Sequence, residues 1–249
     1  MYEYDEAFYE YISQGSRRSA EVVVPYLLDV LELKTVLDVG CGAGAWLEIW
    51  KRHGVNVEGL DGDYVHSDML LIDQEEFITA DLSKSFDLKK KYSIVQSLEV
   101  AEHIPLESAQ TFISCLCAHG EIILFSAAPP GQGGDNHINE QPYSFWQEIF
   151  LKNGYVALDL VRPELINNNS VEKWYRYNTV MYVSKERLLL LPKHIADSLI
   201  EGPVQDISPK LYRFRKFLIR NIPLVIATKI AKVKEHMYIR YLRLAGRLK

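Results

Sequence analysis

Cysteine is scarce in this chain, with Cys41, Cys115 and Cys117 the only three among 249 residues. A sparse, odd set excludes a disulfide-stapled scaffold and suits a reducing cytosol. Glycine (14) and proline (10) are too few for a collagen-like or low-complexity chain. No apolar run, such as 188–192 or 222–228, approaches the roughly 20 residues that a membrane-spanning helix needs. The opening MYEYDEAFYEY has neither the basic start nor the apolar stretch of a secretory leader. With 48% hydrophobic, 24% charged and 11% aromatic residues, a cytoplasmic globular protein with a large core is expected.

Charge of one sign is missing from the C-terminal end. Residues 210–249 hold 12 Lys and Arg against Glu235 alone, although the whole chain is −5. Residues 1–209 therefore carry 16 basic and 32 acidic residues. So acidic a body argues against extended nucleic-acid binding there, whereas the basic segment suits an anionic surface.

Strand-like and helix-like segments alternate along most of the chain. LKTVLDV, VNVEGLD, EEFITADL, YSIVQSLE and GEIILFSAA read as five successive strands, and YVALDLV and NTVMYVS as two late ones. Helical spacing is expected over 17–31 with an interruption at Pro25, over 43–53, near 83–91, over 103–118 and over 142–155. This order predicts an α/β fold with a doubly wound, mostly parallel sheet. The polar loop from Ala127 to Gln141 follows the fifth strand, at the sheet end where ligands bind in such folds.

The first strand runs into Asp38-Val39-Gly40-Cys41-Gly42-Ala43-Gly44, a glycine turn at a helix start where a ligand can approach the backbone closely. Its G-x-G-x-G spacing differs from the G-x-G-x-x-G of nicotinamide-dependent dehydrogenases. Asp61 ends the second strand, where an acid grips ribose hydroxyls in nucleotide-binding folds, and Asp81 follows the third. Together VLDVGCGAG, Asp61 and the ADL at 80–82 resemble, in order and spacing, the cofactor motifs of the class I S-adenosylmethionine-dependent methyltransferases, over roughly residues 19–185. The resemblance implies a seven-stranded sheet with an antiparallel last strand. It places Asp38, Gly40, Cys41, Gly42 and Gly44 near the methionine part of the cofactor, Asp61 on the ribose, Asp81 and Leu82 at the adenine, and Leu98 beside them. Asp63 remains an alternative to Asp61.

After the fourth strand, Glu99, Glu102 and His103 would share one side of a helical turn. Two carboxylates and an imidazole repel or strand charge unless a cation joins them, so a divalent metal is expected, with His137 of the following loop as a fourth ligand. The E-x-x-E-H pattern resembles metal-dependent O-methyltransferases, among them the plant-type small-RNA 2′-O-methyltransferases and those of ubiquinone biosynthesis. Magnesium or manganese would suit these ligands. Helix capping by the two glutamates with local packing of His103, or His103 acting as a metal-free general base beside Glu102, are the alternatives.

A metal at this point would favour vicinal diols, as found in sugars, RNA ends and catechols. The acidic body disfavours RNA. The stretch from Phe125 to Tyr155 further resembles bacterial methyltransferases of glycan-biosynthesis clusters, which implies a sugar, nucleotide-sugar or glycan acceptor; a small-molecule or RNA 3′-end O-methyltransferase, or a catalytically inactive methyltransferase fold serving as a binding subunit, are the alternatives. Tyr143, Trp146, Trp174 and Tyr175 are candidates either to stack on a sugar or to fill the core. Residues 1–209 are thus expected to form the methyltransferase domain and 210–249 a helical extension. There, Ile226, Ile230, Val233, Met237, Tyr241, Leu244 and Leu248 recur at helical spacing beside a stripe of Lys229, Lys232, His236, Arg240, Arg243 and Arg247. That pattern suits a peripheral anionic membrane surface, a partner protein, or packing on the acidic body.

Overall fold

The computed structural model describes residues 6–222 and, beyond these, Ile226, Lys229, Val233, Met237 and Arg240, with side chains described from Ser13 onward. Ile230, Lys232, His236, Tyr241, Arg243, Leu244, Arg247 and Leu248 of the C-terminal stripe lie outside the described residues. In chain order the elements are α1 (Glu6–Val30), β1 (Thr35–Val39), α2 (Ala45–Arg52), β2 (Asn56–Asp61), β3 (Phe77–Thr79), β4 (Ile94–Leu98), α3 (Ala109–His119), β5 (Ile122–Ser126) and α4 (Tyr143–Lys152). They continue with β6 (Tyr155–Leu158), α5 (Arg162–Leu165), α6 (Lys173–Asn178), β7 (Val180–Ser184), α7 (Lys185–Leu188), α8 (Lys193–Ala196) and α9 (Lys210–Ile219).

The seven strands form one sheet in the order β3-β2-β1-β4-β5-β7-β6. Strands β1 to β5 pair in parallel, and β7 enters antiparallel between β5 and β6. This is the seven-stranded, doubly wound sheet with one antiparallel strand that the sequence resemblance implies. The strand order reverses between β1 and β4, where Asp38 lies level with Gln96, so the loops leaving these two strands open into one crevice. That crevice contains both the glycine turn and the Glu99–His103 stretch.

Strand residues alternate between two cores, as the two-residue strand period requires. Val36, Ile94, Leu124 and Met181 face α1 and α2, packing with Val23, Leu27, Trp46 and Trp50. Leu37, Val95, Ile123 and Phe125 face α3 and α4, packing with Phe112, Leu116, Trp146 and Phe150. Of the four aromatic candidates, Tyr143, Trp146 and Tyr175 are buried in these cores, and Trp174 packs half-buried against the first.

Three expectations about helices are corrected. Helix α1 runs straight through Pro25. An internal proline costs about 3 kcal/mol, but Val23, Val24 and Leu27 are fully buried on the stripe that continues across it, each contributing roughly 1.5–3 kcal/mol. No helix forms at 83–91. There the backbone amides of Ser83 and Leu88 turn to the Asp81 carboxylate and the His119 ring instead of to carbonyls of their own segment. The helix expected over 103–118 begins at Ala109 as α3. Two short 3-10 turns, Ala101–His103 and Leu106–Ser108, precede it on either side of Pro105, which disfavours helical backbone at Ile104. Among the described residues no helix is long and apolar enough to cross a membrane.

Phe150 holds the second core together: its ring stacks on Tyr182 at 3.8 Å and meets Phe125 edge-on at 5.2 Å. Phe150→Ala is expected to cost about 3–5 kcal/mol in a denaturant unfolding experiment. A loss under about 1 kcal/mol would show that this core is loosely packed.

Candidate functional site

The glycine turn leaves β1 with Gly40 and Gly44 at φ of +85° and +87°, a region that residues with a β-carbon rarely adopt. A β-carbon on Gly40 would also sit 2.3 Å from Val100, so this glycine lets the two crevice loops touch. The Gly42 amide donates to Asp61 Oδ2 at 2.6 Å. The Gly62 amide, at 2.7 Å, and the Tyr64 hydroxyl donate to Oδ1. Asp61 is buried at the turn, whereas Asp63 is exposed.

Burial raises the carboxyl pKa of Asp61 despite these donors. It pushes neighbouring Asp38 up to about 8, with Asp61 adding to the rise and the Gln96 amide opposing it. Cys41 packs against Gly59, and burial, then Asp61 and Asp38, hold its thiol well above the ordinary value, which makes it inert at neutral pH. Asp81 stands half-exposed past β3; hydrogen bonds from Ser83 and then Lys84 hold it down to about 2. Leu82, next to Asp81, and Leu98, at the end of β4, are both buried.

At the end of β4 the chain turns sharply, with Glu99 at φ +59°, and Glu102 and His103 follow in a 3-10 turn. The Asn139 amide donates to the Glu102 carbonyl at 2.9 Å, bringing the loop after β5 onto this turn. In consequence Glu102, His103 and His137 offer ligand atoms that all lie within 4.8 Å of one another. Both imidazoles are anchored through Nδ1. That of His103 meets the Asn136 carbonyl at 3.0 Å, and that of His137 meets Glu140 Oε1 at 2.9 Å. Nε2 of each ring is thereby left as the atom available to a ligand.

Glu102 is fully buried, and among the described residues neither of its carboxylate oxygens makes a hydrogen bond. Burial and then Glu99 push it to about 8; His137 and the main-chain amides of Glu102 and Ala128 pull the other way without reaching hydrogen-bond geometry. Burial and then His137 lower His103 to about 4. Burial works against charge on His137 too, but Glu140 and Glu102 outweigh it and raise its pKa. Glu99 stands outside the group of three. Its oxygens accept from Gln132 Nε2 at 2.6 Å and Asn178 Nδ2 at 3.1 Å, and Asn178 also donates to Gln132 Oε1 at 2.8 Å.

Four residues of this arrangement escape a reading of the sequence. Glu140 has a local signal, a carboxylate three residues after His137 that also accepts the Gly131 and Gly133 amides at 2.7 Å each. Gln132, Asn178 and Tyr64 carry no motif and are brought in by the fold alone.

Helix α9 closes this end of the sheet. Arg215 Nη1 donates to the Gln132 carbonyl at 3.0 Å, and the Tyr212 ring packs 5.7 Å from that of Tyr177. Lys216, 4% exposed, donates to Asp206 at 2.6 Å. The approach is so close that a β-carbon on Gly131 would fall 1.9 Å from the Lys216 carbonyl oxygen.

Residues 11–129 match a family model described as a methyltransferase domain, just under half of the chain, ending before His137. A ubiquinone biosynthesis O-methyltransferase of Saccharophagus degradans is 36% identical over 102 residues, 37% of this chain and 43% of the relative. One from Hydrogenovibrio crunogenus is 32% identical over 85 residues, 30% and 34% of the two chains. The chain thus spans less than half the length of the curated relatives it matches. Among solved structures, the magnesium protoporphyrin IX methyltransferase of Synechocystis with bound SAH is 21% identical, covering 69% of this chain and 84% of that one, with a TM-score of 0.52. The sugar N-methyltransferase KedS8 of a Streptoalloteichus species is 14% identical, covering 71% and 91%, with a TM-score of 0.54. At these identities they share the fold.

The Lys216–Asp206 pair sets a pH dependence. Burial raises the Asp206 pKa, but Lys216 and Ser208 overcome it and leave the pKa below the ordinary value. Its stabilisation is therefore complete above the unfolded value of about 3.9 and is lost as pH falls through the lower folded value. Lys216→Met is expected to cost about 1–3 kcal/mol near neutrality and progressively less in acid. Denaturant midpoints measured at about pH 7 and about pH 3 check this; a gap that does not narrow in acid would show that the pair is not its source.

Proposed function

We propose that this chain, with its class I methyltransferase sheet, is an S-adenosylmethionine-dependent O-methyltransferase that acts on a sugar or glycan hydroxyl with the help of a divalent cation. The observation that carries the reading is Glu102, a fully buried carboxylate with no hydrogen bond among the described residues, beside two imidazoles already anchored through Nδ1. A buried carboxylate without a hydrogen bond, whose nearest cationic group is the His137 ring with Nε2 4.0 Å from Oε1, is costly enough to take up a proton or a cation. Two imidazole nitrogens and a carboxylate oxygen, once deprotonated, are donors that suit a divalent cation such as manganese or magnesium. Glu102, His103 and His137 would hold it, and Glu99 would join them on leaving Gln132 and Asn178.

When bound, the cofactor supplies a methyl group on a sulfonium, and the cation supplies charge that eases deprotonation of an acceptor hydroxyl. The chain's own residues do the rest. Asp61 would accept the ribose hydroxyls, and Gly40, Gly42 and Gly44 leave room for the methionine portion beside Asp38 and Cys41. Asp81, Leu82 and Leu98 would border the adenine. Without a cation, His103, whose pKa burial lowers to about 4, would be the group placed to receive the hydroxyl proton beside Glu102; with the cation bound, both side chains would serve as its ligands.

Two adjacent oxygens suit the cluster, and this supports a vicinal diol of a sugar. A catechol-type diol is the second reading, favoured by the names of the curated relatives, both ubiquinone biosynthesis O-methyltransferases. Methyl transfer assayed on nucleotide-sugars, on their deoxy analogues and on catechols separates the two.

Asp61→Ala is expected to weaken binding of S-adenosylhomocysteine by about 1.5–3 kcal/mol, roughly ten- to a hundredfold in calorimetry. Unchanged affinity would transfer the ribose contact to Asp63. A chelator is expected to abolish turnover, restored by manganese or magnesium, while leaving cofactor affinity intact. Full activity in chelator, lost only in His103→Ala, would replace the metal by a general-base mechanism.

A further inference from the structure

Helix α9 has two dissimilar faces. At 100° per residue, Tyr212, Arg215, Lys216 and Ile219 fall on one side, and these are the residues that clamp the loop carrying Gln132. The opposite side bears Leu211, Phe214, Phe217 and Leu218, which are 80%, 58%, 53% and 50% exposed. Among the described residues, these four large apolar side chains on one face of a ten-residue helix are left half-exposed or more. Lys210, Arg213 and Arg220 are exposed beside them, and the Arg220 guanidinium lies over the Phe217 ring at 5.4 Å. No acidic residue occurs between Asp206 and Glu235. Farther along, Ile226, Val233 and Met237 are also exposed apolar residues, at 48%, 60% and 69%, with Lys229 and Arg240 basic.

From this juxtaposition we infer that the outer face of α9 docks the protein on an anionic lipid surface, Leu211, Phe214, Phe217 and Leu218 entering the headgroup boundary and Lys210, Arg213 and Arg220 meeting lipid phosphates. The charge of the segment selects this occupant. A face with Lys and Arg along the apolar row and no acid matches an anionic leaflet in every orientation about the membrane normal. The −16 charge of residues 1–209 would be repelled by the same leaflet, so the helix would make first contact. Because its inner face holds Gln132, and Gln132 holds Glu99, docking would put the acceptor end of the crevice next to the lipid. That consequence rests on the methyltransferase reading, whereas the docking does not.

Co-sedimentation of the full chain with phosphatidylcholine vesicles, with or without phosphatidylglycerol, tests the inference. Partitioning is expected to be at least about tenfold stronger onto the anionic vesicles and to be released by high salt. The triple variant Leu211→Ser, Phe214→Ser, Leu218→Ser should lose about tenfold or more of that partitioning while keeping its melting temperature and its affinity for S-adenosylhomocysteine. A second variant, Lys210→Gln, Arg213→Gln, Arg220→Gln, gives an independent reading through charge alone. The inference is overturned if the full chain ignores anionic vesicles or if both variants bind them as the wild type does. A full-chain dimer that the triple variant dissolves, without vesicle binding, would assign the face to a second copy and overturn it equally.

Discussion

A carboxylate removed from water must be neutralised, and the crevice between β1 and β4 is built around that constraint. Glu102 meets no hydrogen-bond donor among the described residues, and its pKa of about 8 expresses the cost of holding charge there. Burial holds Asp38 near 8 as well, although there the Gln96 amide opposes the rise. By contrast Asp61, equally buried, satisfies its oxygens with the Gly42, Gly62 and Tyr64 donors. The crevice therefore has one acid already held by hydrogen bonds at the turn and another that has only the His137 ring, 4.0 Å away, against its charge. This is the division that a polar cofactor on one side and a cation on the other would require.

The surroundings of Glu102 are ordered by indirect contacts. Glu140 binds the His137 ring and two loop amides at once, so the same carboxylate shapes the loop and aims the imidazole. Asn139 stitches that loop to the 3-10 turn of Glu102. Glu99 is restrained by Gln132 and Asn178, whose own positions depend on α9 and on Tyr143. A chain of contacts thus runs from the C-terminal helix to the acidic rim of the crevice. Substitutions along it would reach the site without touching it.

Much of the architecture is legible in the sequence because it is written in contiguous stretches. Buried parallel strands read as short apolar runs, the glycine turn names its own backbone need, and Asp61 stands one strand-length after the helix that follows the turn. The absence of a helix at 83–91 has the same cause in reverse. The local spacing there was permissive, but the Leu88 amide found the ring of His119, a partner on α3. At Pro25 the local signal for a break lost to burial of the residues on either side.

The residues that meet at Glu102 show where the sequence stops and the folded chain takes over. Glu102 and His103 are neighbours in the chain, a helical period of three or four residues would add Glu99 to them, and the loop after the fifth strand makes His137 a candidate by its position alone. Whether Glu99 joins them depends on a left-handed backbone at Glu99 and on amides supplied from Gln132 and Asn178, 33 and 79 residues away. Composition marks residues 210–249 as basic and amphipathic, but only the packing of Lys216 on Asp206 and of Gly131 under α9 decides which face is turned inward. Patterns within one element follow from backbone geometry and can be read from sequence. The meeting of side chains from distant elements is settled by how the sheet, loop and helix pack, and no local pattern records it.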